Sequence, residues 1–237
     1  MKIVKKTHTG LVREQNQDFI KTGKCPLGIY GIVADGMGGH NGGELASEMA
    51  VNLLEMKINS SEVIQIKTWI EEVNSHLYNY SLLTPELTGM GTTLTLGLIS
   101  NNMLYVGHVG DSRAYLLRGK ELCQLTTDHS FVQELINLGD ITKEEANNHP
   151  RKNILTQAVG TAKEIEIQVL NQPIESNDII LLCSDGLTNL VTNDEISLML
   201  QNYQIEDCAE KLLETALNRG GNDNISLIII SYEGGVN

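Results

Sequence analysis

Apolar residues in this chain gather into short dense runs and longer periodic ones. The densest runs lie at 178–183 and 224–232, where Ile179-Ile180-Leu181-Leu182 and Leu227-Ile228-Ile229-Ile230 show no polar face. Strands of that kind are covered on both sides. Further strands are predicted at 27–34, 92–99, 103–109, 111–118, 121–125 and 165–170. Asn101-Asn102 and Gly119-Lys120 supply tight turns between neighbours. Strands joined by so few residues must run antiparallel, because a parallel crossover needs a dozen residues or more.

The helical periodicity comes in two blocks. In the first, Leu45, Met49 and Leu53 share one face, and Ile66, Ile70, Val73 and Leu77 share another. In the second, Thr192 and Glu195 have capping-box spacing, and a last helix carries Ile205, Ala209, Leu212 and Ala216 before Gly220-Gly221 stops it. Two helix pairs with antiparallel strands buried on both faces predict an α+β fold, in which packed sheets carry helices outside. Residues 129–160 read as a small polar lobe. A helix at 131–138 ends at Gly139, and a Thr142–Glu145 capping pattern is halted by Pro150. With four prolines and no linker or repeat, residues 1–237 are expected to form one domain.

Composition narrows the function. Aromatic residues make up 4% of a chain that is 41% hydrophobic, so the core is aliphatic. Thirty acidic residues against 17 basic give a net charge of −13, which argues against nucleic acid or an anionic membrane as partner. Cys25, Cys123, Cys183 and Cys208 form no C-x-x-C pair, which speaks against structural zinc and a disulfide framework. The N-terminus has no apolar leader, and no run approaches the roughly 20 apolar residues of a membrane span. The expectation is a reduced, soluble, cytoplasmic monomer with no membrane insertion.

The candidate chemistry lies in the aspartates. Asp35 follows Ile32-Val33-Ala34, Asp111 follows Val109-Gly110, Asp185 follows the 178–183 run, Asp223 precedes the 224–232 run, and Asp18 stands before Phe19. Any one of them is readily explained as a turn residue. Together they sit where strands could aim them into one cleft. Converging carboxylates raise each other's pKa unless cations neutralise them, and such hard oxygen ligands suit Mg²⁺ or Mn²⁺.

Six blocks, in order, carry a family resemblance. They are Arg13-Glu14-Gln15-Asn16-Gln17-Asp18, Val33-Ala34-Asp35-Gly36-Met37-Gly38-Gly39, Gly91-Thr92-Thr93, Val109-Gly110-Asp111-Ser112-Arg113, Ser184-Asp185-Gly186-Leu187 and Asp223-Asn224-Ile225-Ser226. From about residue 7 to residue 231 the chain resembles the protein phosphatase 2C family, bacterial branch. The resemblance implies a four-layer αββα sandwich, two packed antiparallel sheets flanked by helix pairs, with 129–160 as a flap. It implies a Ser/Thr phosphatase acting on phosphorylated proteins by direct attack of a metal-bridging water, opposing a bacterial eukaryotic-type Ser/Thr kinase. Asp35 would bridge two Mn²⁺ or Mg²⁺ ions, joined by the Gly36 carbonyl, Asp185 and Asp223. Asp111 and Asp185 would hold a weaker third ion, Asp18 would act through water, and Arg13 would bind the substrate phosphate.

Two positions depart from the family pattern. Met37 stands where eukaryotic members carry a proton-donating histidine, which leaves His40 or water as the substitute. His149-Pro150-Arg151-Lys152-Asn153 differs from the usual His-Pro-x-Arg-Asn. The serines beside Asp111 and Asp185 lack a G-x-S-x-G setting, so local hydrogen bonding is their expected role. The competing readings are an inactive phosphatase-like binding module, which would not need Asp35, Asp185 and Asp223 together, and a two-metal nuclease or phosphodiesterase. The latter commonly recruits histidine ligands and a polyanionic substrate.

Overall fold

The computed structural model describes residues 1–38 and 42–234. In chain order it runs β1 (Lys2–His8), β2 (Asp18–Cys25), β3 (Gly28–Met37), α1 (Gly42–Ser60) and α2 (Ile66–Leu83). A 3₁₀ turn at Pro85–Leu87 leads into β4 (Gly91–Thr92), β5 (Leu94–Ser100), β6 (Met103–Val109), β7 (Arg113–Arg118) and β8 (Glu121–Gln124). Then come α3 (Phe131–Leu138), α4 (Lys143–Asn147), β9 (Gln168–Pro173), β10 (Ile179–Cys183), α5 (Asp185–Thr188), α6 (Asn193–Asn202), α7 (Ile205–Asn218) and β11 (Ile225–Ser231).

The strands form two antiparallel sheets. One has the order β1-β11-β10-β7-β8, the other β2-β3-β5-β6-β9 with β4 added to β3. Their apolar residues sort into three layers by the two-residue period of a strand. Ile228 and Ile230 point between the sheets, against Val33, Val106 and Leu182. Leu227 and Ile229 point the other way, onto α6 and α7. On the second sheet, Ile32, Ala34 and Leu96 meet Leu54 of α1 and Ile70 of α2. A strand buried on both faces has no polar side to alternate, which explains the unbroken runs. The architecture is the expected αββα sandwich.

Several local details differ from the sequence pattern. β1 and β2 were not among the predicted strands. Each lies at the edge of its sheet and carries lysines, Lys2, Lys5 and Lys6 on one and Lys21 and Lys24 on the other. Charged edges are how sheets discourage further pairing, and they also hide the strand from an apolar count. β9 begins at Gln168, three residues later than predicted. The wholly buried apolar side chains of α1 are Ala46, Ala50, Val51, Leu54 and Ile58, while Leu45, Met49 and Leu53 are half-buried. Alanines let the helix axis approach the sheet closely, so the buried face follows Ala46, Ala50 and Leu54 rather than Leu45, Met49 and Leu53.

In the 129–160 lobe the predicted caps are present. Gly139 closes α3 in a left-handed conformation, and Thr142 with Glu145 forms a reciprocal capping box on α4. Arg151 lies over the Phe131 ring, 5.5 Å from its centroid.

Candidate active site

Strand direction brings the predicted carboxylates to one end of the sandwich. Asp18 opens β2 and lies directly across from Asp35 near the end of antiparallel β3. β6 runs parallel to β3 through the intervening β5, so Asp111, just beyond β6, emerges at the same end. In the other sheet β10 and β11 are antiparallel neighbours, which puts Asp185 after β10 beside Asp223 before β11. A bond across the sheets joins the halves: the Ser184 hydroxyl donates to Asp18 Oδ2 at 2.7 Å.

The backbone around these residues is closely tied. The Gly36 amide donates to the Gln17 carbonyl at 3.0 Å. A Cβ on Gly36 would overlap the Gly43 carbonyl, so only glycine lets the start of α1 come this near. The Asp35 amide donates to Thr93 Oγ1 at 2.9 Å, and Thr93 Oγ1 pairs with Ser112 Oγ at 2.8 Å. Asn224 clamps the loop that carries Arg13, its side-chain amide donating to the carbonyls of Thr9 at 2.8 Å and Gln15 at 2.9 Å. Its oxygen accepts from the Gln17 amide at 2.8 Å. Sequence reasoning had singled out neither Asn224 nor Thr93. The available signal was an amide beside Asp223 and a hydroxyl in the Gly91-Thr92-Thr93 block. The serines act as hydrogen-bonding groups, but not locally: Ser184 reaches Asp18 across the sheets and Ser112 pairs with Thr93.

The electrostatics are those of a site short of positive charge. Burial pushes Asp18 up to about 7, with Asp185 and Asp223 adding to the rise and Ser184 opposing it. Asp35 is held well above the usual carboxylate range by burial and then by Asp18, Asp185, Asp111 and Asp223. Asp111 is raised in the same way by burial and then Asp185, and Asp185 by burial and then Asp223. Asp35, Asp111 and Asp185 are only half-buried by area, so they line a cleft that solvent still reaches.

These residues fit divalent cations. Asp18 Oδ1 and Asp185 Oδ1 are buried oxygens with no hydrogen-bond partner. A cation gives such oxygens the partner that burial denies them and removes the mutual repulsion. Among the described residues no three acidic, histidine or cysteine side chains close into a ready-made cage.

Arg13 faces this cluster but is already paired. Its guanidinium contacts both Asp223 oxygens, Nε to Oδ1 and Nη2 to Oδ2, each at 2.9 Å. His40 lies outside the described residues. Hollows of about 330 Å³ beside α1 and α2 and about 480 Å³ beside α6 and α7 contain none of the site residues.

A sequence profile of the family described as Protein phosphatase 2C matches residues 8–224. The chain belongs to the protein phosphatase 2C family. By that membership it is a phosphoprotein phosphatase. It is 40% identical to the serine/threonine phosphatase stp of Listeria monocytogenes, over 96% of this chain and 94% of the relative. Among solved structures it resembles Stp1 of Staphylococcus aureus with a TM-score of 0.93 and 34% identity, over 98% of this chain and 95% of that one. It also resembles the catalytic domain of the phosphatase PstP in complex with two manganese ions, with a TM-score of 0.85 and 35% identity over 96% of each chain. Among the described residues no helix is long and apolar enough to cross a membrane.

Proposed function

We propose that the chain is a metal-dependent protein serine/threonine phosphatase that hydrolyses phosphoserine and phosphothreonine and opposes a Ser/Thr kinase. The observation that carries this reading is the carboxylate cluster with its buried, unpartnered Asp18 and Asp185 oxygens. The manganese in PstP and the serine/threonine name of the Listeria relative support it. Asp35, the Gly36 carbonyl, Asp185 and Asp223 would hold two Mn²⁺ or Mg²⁺ ions. Asp111 and Asp185 would hold a weaker third, and Asp18 would contribute through water. When bound, such ions supply an acidified water for attack on phosphorus and offset charge on the phosphoryl oxygens.

The chain's own residues do the rest. Arg13 would turn from Asp223 to the phosphate, where its planar fork holds two oxygens at once. Asp223 would thereby be released for its ion. Asp18, held by Ser184, would orient water beside Asp35. Met37 has no proton to give the departing alkoxide, so that proton comes from water or from His40. No side-chain nucleophile is required, so no phospho-enzyme forms.

The test is turnover of phosphoserine, phosphothreonine and phosphotyrosine peptides after metal depletion, with Mn²⁺, Mg²⁺ or excess EDTA. Cation-dependent release from the first two is expected, and loss of it in Asp35→Ala. Full turnover in EDTA would sink the metal assignment. No turnover with either ion, alongside retained phosphopeptide binding, would make the chain a binding module.

A further inference from the structure

We infer that His129 is a positioning residue, locking the 129–160 lobe to the Asp111 loop so that the lobe sets where the Asp111 carboxylate points. This rests on the reading of Asp111 as a cation ligand. His129 takes both polar groups of Gly110, the residue before Asp111. The His129 amide donates to the Gly110 carbonyl at 2.7 Å, and the Gly110 amide donates to His129 Nδ1 at 3.2 Å. Gly110 has φ +109°, a conformation that gives glycine little to resist rotation once its hydrogen bonds are gone.

His129 is also where the two stems of the lobe meet. Its carbonyl accepts from the Thr156 amide at 2.9 Å, the Phe131 amide donates to the Ile154 carbonyl at 2.8 Å, and Ser130 bridges Leu155. The returning stem continues to Val159, which pairs with Thr92, and the Thr92 hydroxyl donates to the Asp35 carbonyl at 2.9 Å. On the incoming side Asp128 is gripped by Arg113, Nη2 to Oδ2 at 2.7 Å, two residues beyond Asp111.

The His129 ring itself is fixed from behind. It sits 5.1 Å from the ring of His108, which is wholly buried and bonded through Nδ1 to Thr95 Oγ1 at 2.9 Å. Burial lowers the His129 pKa against the opposing pull of Glu166 and Asp128, which favours the neutral ring whose Nδ1 can accept. Displacement of the lobe would pull on His129, hence on the Gly110 peptide, hence on the adjoining carboxylate. A purely structural histidine would stabilise the lobe without being coupled to the Asp111 loop in this way.

The test compares His129→Ala with His129→Asn, whose side-chain oxygen stands where Nδ1 does and keeps the acceptor. In metal-free protein, hydrogen exchange at the Gly110 amide should accelerate about tenfold or more in His129→Ala, and Asn should restore protection. In calorimetric titration with Mn²⁺, His129→Ala should weaken the loosest site roughly tenfold, the lower end for outer partners of metal ligands. The tighter sites should be unchanged, and kcat should fall more than KM, again with rescue by Asn. If His129→Ala unfolds, His129→Gln fills the ring space with its polar end at the Nε2 position and gives the same comparison. Unchanged Gly110 exchange overturns the proposal, as does accelerated exchange with wild-type Mn²⁺ binding and turnover. Asp111→Ala measured in parallel separates the two readings. If it leaves Mn²⁺ stoichiometry and turnover at wild type, the third-ion reading fails, while Gly110 exchange still decides whether His129 pins the loop.

Discussion

The role proposed for Arg13 gives one side chain two partners, the substrate phosphate and Asp223. Its contacts with Asp223 are bidentate, but the two side chains are 53% and 34% exposed. A pair that open to water adds little to stability, so the role proposed for it is to hold the guanidinium at the cleft until a phosphate competes for it. Arg13→Ala should therefore leave the melting temperature nearly unchanged while weakening phosphopeptide use. Losing a charged hydrogen bond costs roughly 1.5–3 kcal/mol, or about 10- to 150-fold in kcat/KM. Steady-state kinetics and a thermal melt on the same preparation check both halves, and unchanged kcat/KM would leave Arg13 as a partner of Asp223 alone. Arg13 and the aspartates were legible in the sequence because their chemistry and spacing are unusual. Asn224, Thr93 and His129 were not, because an amide, a hydroxyl or an imidazole is common in loops and only its partners reveal its task.

At the scale of elements, α1 separates pattern from packing. Leu54 is fully buried against β3 and α2, while its neighbour Leu53 is half-buried. Leu54→Ala should cost about 2–5 kcal/mol and Leu53→Ala clearly less. Ala50→Leu should cost about 1–3 kcal/mol, because it drives the helix off the sheet. Urea melts decide it: equal costs at 53 and 54 would return the buried face to the one that periodicity predicts. The strands were legible where they are central and apolar. β1 and β2 escaped because edge strands trade apolar residues for lysine, although β2 delivers Asp18 to the site.

The whole molecule carries the cost of gathering carboxylates without cations. Each raised carboxyl binds a proton more tightly folded than unfolded, so its contribution to stability is full below the ordinary carboxylate pKa and is lost as pH rises through the folded value. For Asp18 that window runs from the ordinary carboxyl value of 3.8 to about 7. In EDTA the chain should therefore melt higher at about pH 5.5 than at about pH 7, by about 2 kcal/mol for Asp18 alone, or roughly 4–8 °C. Glu195, held down to about 2 by Arg219, loses nothing in that range, while buried His108, lowered to about 3, offsets part of the gain because its unfolded imidazole takes up a proton as pH falls. Saturating Mg²⁺ at neutral pH should raise the melting temperature and flatten the trend, since a ligand of the native state stabilises it by mass action. A melting temperature that falls steadily on acidification in EDTA would show that the cluster carries no such strain.

By itself the sequence determined the layer order, the two helix pairs, the single aliphatic core composition and the identity of the charged groups. Each of these is written in local periodicity or in residue chemistry. Only the tertiary structure decided which face of α1 is buried, that Asp18 stands across from Asp35, that Arg13 is shared with Asp223, and that the 129–160 lobe is fastened to Gly110 through His129. Those facts depend on strand register and on the approach of segments far apart in the chain. No local pattern encodes them, because a hydrogen bond between residues 19 or 210 positions apart exists only once the sheets have packed.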